Sequence, residues 1–235
     1  MHEVLQKFFS PHSFRVALPD VWTGFQLNLK LMVVAEILVL ILALAIAVVR
    51  ELPGRGAAPF RALAIVYTDI FRGTPLILVA FLVGFGLPGL NIHGLSDLSL
   101  FTYGVIALTL VYTAYVTEVY RAGIESVHQS QRMAARSLGL SHWQAMRYVV
   151  IPQAVRRVIP PLLNDFVGLQ KDTALVTVIG VAEAAQQAQQ FSQNNYNFTS
   201  YVVAAVFFIL LTIPLARFTD HLILVRERRE RALAT

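Results

Sequence analysis

Residues 31–49 read LMVVAEILVLILALAIAVV, nineteen residues with one ionisable side chain, Glu36. A transmembrane helix needs about 20 mostly apolar residues to cross the hydrocarbon core, so this stretch predicts a membrane span. The rest of the chain agrees with it. Of 235 residues, 56% are hydrophobic and 14% charged, and mean hydropathy is +0.61. A soluble domain carries about 25% charged residues, so most of this surface is built for lipid. The absence of cysteine excludes a disulfide scaffold, a thiol nucleophile and a Cys-held zinc or iron–sulfur site.

Two further spans are clean. Residues 98–117 hold no charge, and residues 201–225 confine Arg217 and Asp220 to their second half. Two others are polar inside: residues 62–86 carry Asp69, Arg72, Gly73 and Pro75, and residues 161–181 carry Asn164, Asp165, Gln170, Lys171 and Asp172. A charge at a helix centre costs about 2.5–3.5 kcal/mol on insertion scales, so such residues face a bundle interior or an aqueous cavity. The expectation is an all-α integral membrane protein with five transmembrane helices.

The basic residues support that number. Arg50, Arg55 and Arg61 lie between spans one and two. Arg121, Arg132, Arg136, Arg147, Arg156 and Arg157 lie between three and four, and Arg226, Arg228, Arg229 and Arg231 lie in the tail. Residues 87–97 and 182–200 contain no Lys or Arg. By the positive-inside rule the N-terminus is outside and the C-terminus cytoplasmic. The pI near 9.7 is then an orientation signal and no nucleic-acid footprint. Residues 1–21 lack the compact basic–apolar–cleavage pattern of a signal peptide, so they are read as an N-terminal extracytoplasmic segment before an uncleaved first span. Residues 22–225 form the membrane domain, with a loop at about 121–160, and 226–235 a basic cytoplasmic tail. Residues 186–197 (QQAQQFSQNNYN) read as a solvated external loop or a docking surface.

The long loop carries the strongest signal. Residues 133–140 (MAARSLGL) read as a short helix ended by Gly139. Ser141 caps a second one, which runs through Trp143, Ala145, Met146 and Val149 and stops at Ile151-Pro152, with Pro160-Pro161 opening span four. Ala134 and Ala135 let another backbone approach, and Trp143, Met146 and Tyr148 are expected to be exposed and to fill its pocket. The same residues also suit an amphipathic segment lying on lipid headgroups.

The run Ala134-Ala135 … Gly139 … Ile151-Pro152-Gln153-Ala154 resembles the EAA loop of ABC-importer permease subunits, and more narrowly the polar-amino-acid permeases of the histidine/glutamine/glutamate type. Further matching residues are Thr23-Gly24 … Asn28-Leu29, Arg72-Gly73-Thr74-Pro75 and Ala114-Tyr115 … Glu118-Val119-Tyr120-Arg121-Ala122-Gly123-Ile124. Pro160 … Asn164, Lys171-Asp172-Thr173 and Ile179-Gly180-Val181 … Glu183 complete the set, and together the matches cover about residues 22–225. The chain departs at Met133, where the triplet usually begins with Glu, at Ala174, where Ser often follows Lys-Asp-Thr, and at residues 128–131 (HQSQ).

The resemblance implies an ABC type I importer permease in the inner membrane of a prokaryote. It implies two ABC ATP-binding subunits, a second permease subunit (identical or homologous), and an extracytoplasmic amino-acid-binding protein. Met133, Ala134, Ala135, Gly139, Trp143 and Pro152 are the implied ATPase-coupling residues. No G-x-x-x-x-G-K-[ST] loop is present, so ATP and Mg belong to the partner ATPase and this chain carries no cofactor. A zwitterionic substrate needs an acceptor for its ammonium and donors for its carboxylate. Asp172 suits the first role, and Arg72, Thr74, Asn164 or Lys171 the second. Lys171 and Arg72 favour glutamine or glutamate over a basic amino acid.

Two other functions remain compatible with composition. One is an ATP-independent carrier or channel. The other is an intramembrane enzyme using Asp165 and Asp172, but two helical turns separate these by about 10.5 Å along the axis, too far to share a proton. The six histidines have no i, i+4 pair, so no metal site is expected. Glu36 is expected at a helix–helix interface, Glu118 and Arg121 as a pair, and Arg217 and Asp220 as another.

Overall fold

The computed structural model describes residues 2–234, with side chains described for residues 3–225. The basic side chains of the tail, 226–235, therefore lie outside the described residues. Helices α1 (His2–Phe8), α2 (Pro11–Arg50) and α3 (Ala58–Gly73) come first. Then follow α4 (Leu76–Phe81), a π-helical turn at Leu82–Gly86, and α5 (Leu87–Gly89). Next are α6 (Leu100–Glu125), α7 (Gln129–Ser137), α8 (His142–Ala145), a π-helical turn at Met146–Val150, and α9 (Ile151–Asp172). A 3-10 segment at Thr173–Ile179 leads to α10 (Ala184–Asn195) and α11 (Thr199–Ala234). Among the described residues there is no strand.

Length and composition mark three helices able to cross a membrane, within Glu3–Arg50, Leu100–Glu125 and Thr199–Val225. A fourth appears if Ala58–Gly73 and Leu76–Gly89 count as one span bent by 106°. The sequence expectation of a polar span over 62–86 thus becomes two helices. Pro75 has no N–H to continue the helix and restricts the residue before it, so α3 ends at Gly73 and α4 restarts beyond. Residues 161–181 are not a single apolar helix either. Their polar residues lower the hydropathy, and regular helix gives way to the tighter 3-10 form after Asp172.

The chain divides into two compact units. Unit one is Met1–Ile37, Thr74–Val111 and Val167–Phe218; unit two is Leu38–Gly73, Tyr112–Phe166 and Thr219–Thr235. In unit one, Ala17, Val21 and Phe25 of α2 pack with Ala184 and Ala188 of α10 and with Val203 and Ala204 of α11. The Phe25 ring stacks on Phe207 at 5.3 Å and meets Phe208 edge-on at 5.4 Å. The N-terminal segment joins this unit, with the Phe198 amide donating to the Lys7 carbonyl (2.8 Å) and Phe8 stacked on Phe198. In unit two, Val127, Val150 and Ala154 form a small core with Ile124 and Met146. Gly123 lets α6 lie against Val158 of α9, where any Cβ would collide with the valine side chain.

Several expectations change. Residues 186–197 are no solvated loop: most belong to α10, which buries Ala188 and Ser192 because small residues recur at i and i+4. The helix after Ser141 does not stop at Ile151-Pro152. The π-helical turn carries it into α9, and Pro152 falls in the first turn, where a missing N–H costs least. Pro160 and Pro161 lie inside α9 rather than opening a span. Met146 packs into the core of unit two and is not an exposed anchor. Glu36 is half-buried on α2 beside buried Ala35. Arg217 and Asp220 are exposed, and among the described residues no ion pair joins them.

The tightest approach in unit one is at Gly24, where a Cβ would lie 2.6 Å from the Glu183 carbonyl carbon and 2.7 Å from the Ala184 nitrogen. Backbone cannot rotate away, so Gly24→Ala should destabilise the protein by about 1–3 kcal/mol. Gly86→Ala, with nothing within 4 Å of the new methyl, should leave the thermal midpoint of the detergent-solubilised protein unchanged. Equal midpoints for the two variants would contradict this packing.

Candidate functional site

Unit two holds a cavity of about 380 Å³ lined by α3, α6 and α9. Tyr115, Val119 and Ala122 recur every three or four residues on α6, with Ser126 just beyond its end, so one helical face lines it. Pro161 and Asp165, at i and i+4 on α9, supply another wall, and Arg72 in the last turn of α3 a third. Ala122, Gly123 and Ser126 are small, which leaves the space open. The Tyr115 hydroxyl donates to the Arg72 carbonyl at 3.4 Å.

The charges in this cavity are unequal in their partners. Glu118 pairs with Arg50 of α2 and with Arg121, whose Nη2 lies 2.7 Å away, and Arg121 also binds Glu125. Arg50 further donates to the Thr68 hydroxyl at 3.3 Å. The expected Glu118–Arg121 pair is therefore present, inside a network the sequence did not reveal. Arg157 donates to the Ser126 carbonyl. Arg72 and Asp165 take part in no ion pair among the described residues, and Asp165 Oδ2 is buried without a hydrogen bond.

Unit one has a polar cluster of its own. Asn28 of α2 donates from Nδ2 to Thr173 Oγ1 and to Glu183 Oε2, each at 3.0 Å, and accepts the Ala184 amide at 3.0 Å. The fully buried Glu183 carboxylate caps α10 by accepting the Ala185 and Gln186 amides at 2.9 and 2.8 Å. Burial pushes this carboxyl above its ordinary value, against those hydrogen bonds. Nearby, the Thr177 hydroxyl donates to Gln186 Oε1 at 2.7 Å, and the Thr212 hydroxyl donates to Gln170 Oε1 at 2.7 Å.

The loop between α6 and α9 belongs to unit two. His128 precedes α7 and accepts the Ser130 amide on Nδ1. Gly139 ends the helix at φ +85, with its amide on the Arg136 carbonyl and the Leu140 amide on the Ala135 carbonyl. These two bonds form a Schellman motif, which needs the left-handed conformation that glycine adopts without strain. Ser141 and Gln144 then make a reciprocal capping box, as the sequence anticipated in part. Between these stops the loop presents apolar groups: Leu138 is 85% exposed, Trp143 68% and Tyr148 65%.

The expected site residues scatter. Of the five proposed for the substrate, only Arg72 lines the cavity of unit two. Asn164 is exposed in that unit and Lys171 is exposed in unit one, while Thr74 and Asp172 of unit one are half-buried and have interaction partners. Of the coupling residues, Met133, Ala134, Gly139, Trp143 and Pro152 are exposed on unit two, whereas Ala135 is on the buried face of α7. Asn28 and Glu183 stand 155 positions apart, and no local signal joins them. Asp165, one of the polar residues of 161–181 expected to face a bundle interior or an aqueous cavity, lines the cavity together with Glu118.

Comparison with known proteins places this architecture. Residues 54–224 match the family described as binding-protein-dependent transport system inner membrane component. The chain is 34% identical over 83% of its length to the arginine transport system permease protein ArtQ of Bacillus subtilis (strain 168), covering 88% of that protein. It is 37% identical over 82% of its length to the probable glutamine ABC transporter permease protein GlnM of the same organism, covering 87%. A solved structure described as an amino acid ABC transporter with histidines superposes with TM-score 0.79 at 34% identity, covering 90% of this chain and 94% of that one. The chain therefore belongs to the family of binding-protein-dependent transport system inner membrane components, as a multi-pass permease subunit of an ATP-driven importer whose ATP hydrolysis lies on a partner subunit.

Proposed function

We propose that this permease carries a polar amino acid, taken from an extracytoplasmic binding protein, and that the α7–α8 loop docks on the ATP-binding subunit. A second permease subunit, identical or homologous, completes the path. The observation that carries the coupling role is the loop's rigid, doubly stopped shape with Leu138, Trp143 and Tyr148 exposed on it. Large side chains held on capped short helices suit insertion into a partner's cleft, because little conformational freedom is lost on docking. Met133 takes the place of an acidic residue at the start of the triplet and offers apolar contact instead of charge. The similarity to arginine and glutamine permeases supports the amino-acid class. Arg72 and Lys171 favour glutamine or glutamate within it. Residues 22–225 act as the membrane domain, with five spans if residues 161–181 cross, and the arginine distribution supports an N-terminus outside.

Two measurements test this reading. Gly139→Val forces a β-branched residue into a left-handed conformation. In proteoliposomes with the ATPase and the binding protein, ATP-driven uptake should fall at least about tenfold, equivalent to about 1.4 kcal/mol of coupling, with membrane insertion intact. Unchanged uptake would remove the loop's coupling role. The absence of native cysteine makes single-cysteine labelling clean. His93→Cys should react with an impermeant maleimide from outside intact cells, and Leu138→Cys only after the membrane is opened. The reverse pattern overturns the orientation.

A further inference from the structure

The short helix α1 is divided by face. Val4, Leu5 and Phe8, at i, i+1 and i+4, share one side, and Phe9 extends that side past the helix end. Glu3, Gln6 and Lys7 share the other. The four apolar side chains are between 40% and 59% exposed. An isolated helix of about 12–15 residues or fewer is marginal in water, and a row of large apolar side chains gains by leaving it.

The place where α1 is tethered shows what covers that side. Two carbonyls of its last turn are held at the start of α11. Asn197 Nδ2 donates to the Gln6 carbonyl at 3.0 Å, and the Phe198 amide donates to the Lys7 carbonyl at 2.8 Å. Just beyond α1, the Ser10 amide donates to Thr199 Oγ1 at 3.2 Å. Thr199 opens the stretch Thr199–Val225, which is long and apolar enough to cross a membrane. So α1 is fixed where that stretch ends. Aromatic rings mark the same level, with Phe8 stacked on Phe198 at 5.2 Å and Phe198 on Tyr201 at 6.5 Å. Beyond Tyr201, α11 exposes Val206, Ile209, Leu210 and Ile213, and residues 201–216 carry no charge. The apolar side of α1 is joined through these rings to the uncharged part of α11.

We propose that α1 is an interfacial anchor on the lipid surface, with Val4, Leu5, Phe8 and Phe9 among the headgroups and upper acyl chains and Glu3, Gln6 and Lys7 in water. Amphipathic helices seat in this way at a bilayer interface, and rings such as that of Tyr201 are enriched there. A protein partner would be oriented by polar groups around an apolar centre, and the apolar side of α1 carries none. Such an anchor needs only a membrane-spanning chain and is the same for either orientation and any substrate.

The chain has no cysteine, so single-cysteine variants can carry one nitroxide spin label each. They are placed in lipid nanodiscs as the assembled complex with a cysteine-free ATPase subunit. Power saturation then reads collision with oxygen, which partitions into lipid, and with a nickel chelate, which stays in water. Val4→Cys, Leu5→Cys and Phe9→Cys should favour oxygen, with an oxygen-to-nickel ratio several-fold above that of Glu3→Cys and Gln6→Cys. All five side chains are exposed, so the labels displace no packing. Equal ratios on the two sides would put α1 in water and overturn the anchor. Labels at 4, 5 and 9 shielded from both reagents would overturn it as well, because a second copy or another subunit then covers that side.

Discussion

Hydrocarbon offers no hydrogen-bond partner, and each backbone polar group left unsatisfied in it costs several kcal/mol. That constraint explains why the chain is built of long helices, and also where it departs from them. Non-helical backbone at membrane depth needs partners from elsewhere in the protein. The 3-10 segment after Asp172 begins at Thr173, whose hydroxyl donates to the Gln170 carbonyl and accepts from Asn28. The same Asn28 reaches Glu183 and the Ala184 amide, so one α2 side chain closes the far end of the irregular stretch as well. Within regular helix, Thr68 and Thr117 turn their hydroxyls back onto carbonyls of their own helix.

Charge obeys the same logic at higher cost. A buried ion is tolerated when it is paired and hydrogen-bonded, and Glu118, set between Arg50 and Arg121, meets that condition. This network consumes most of the charge on one wall of the unit-two cavity. Arg72, Arg157 and Asp165 line it without an ion pair among the described residues.

Much of this was legible in the residues. The lipid-facing composition, the three clean spans, the cap at Ser141 and the stop at Gly139 all follow from local rules that depend on a few neighbouring positions. The Glu118–Arg121 pair is legible for the same reason, because i and i+3 share a helix face. Local rules also misled. Pro152 and Pro160-Pro161 read as boundaries, but a π-helical turn before Pro152 and the surrounding packing keep the helix continuous. The glutamine-rich run read as solvated because its composition is polar, whereas only one face of α10 meets solvent and the face bearing Ala188 is buried.

The sequence by itself determined the solvent, the family and the capped short helices between α6 and α9. Each depends on composition or on contiguous motifs, and a chain carries those without being folded. The tertiary structure decided which polar residues meet. It joined Asn28 to Glu183 across 155 positions, and it gave the cavity to Asp165 while leaving Lys171 exposed. Pairing across such separations depends on which helix faces pack together, and that is settled by side-chain shape at close approaches such as Gly24 and Gly123.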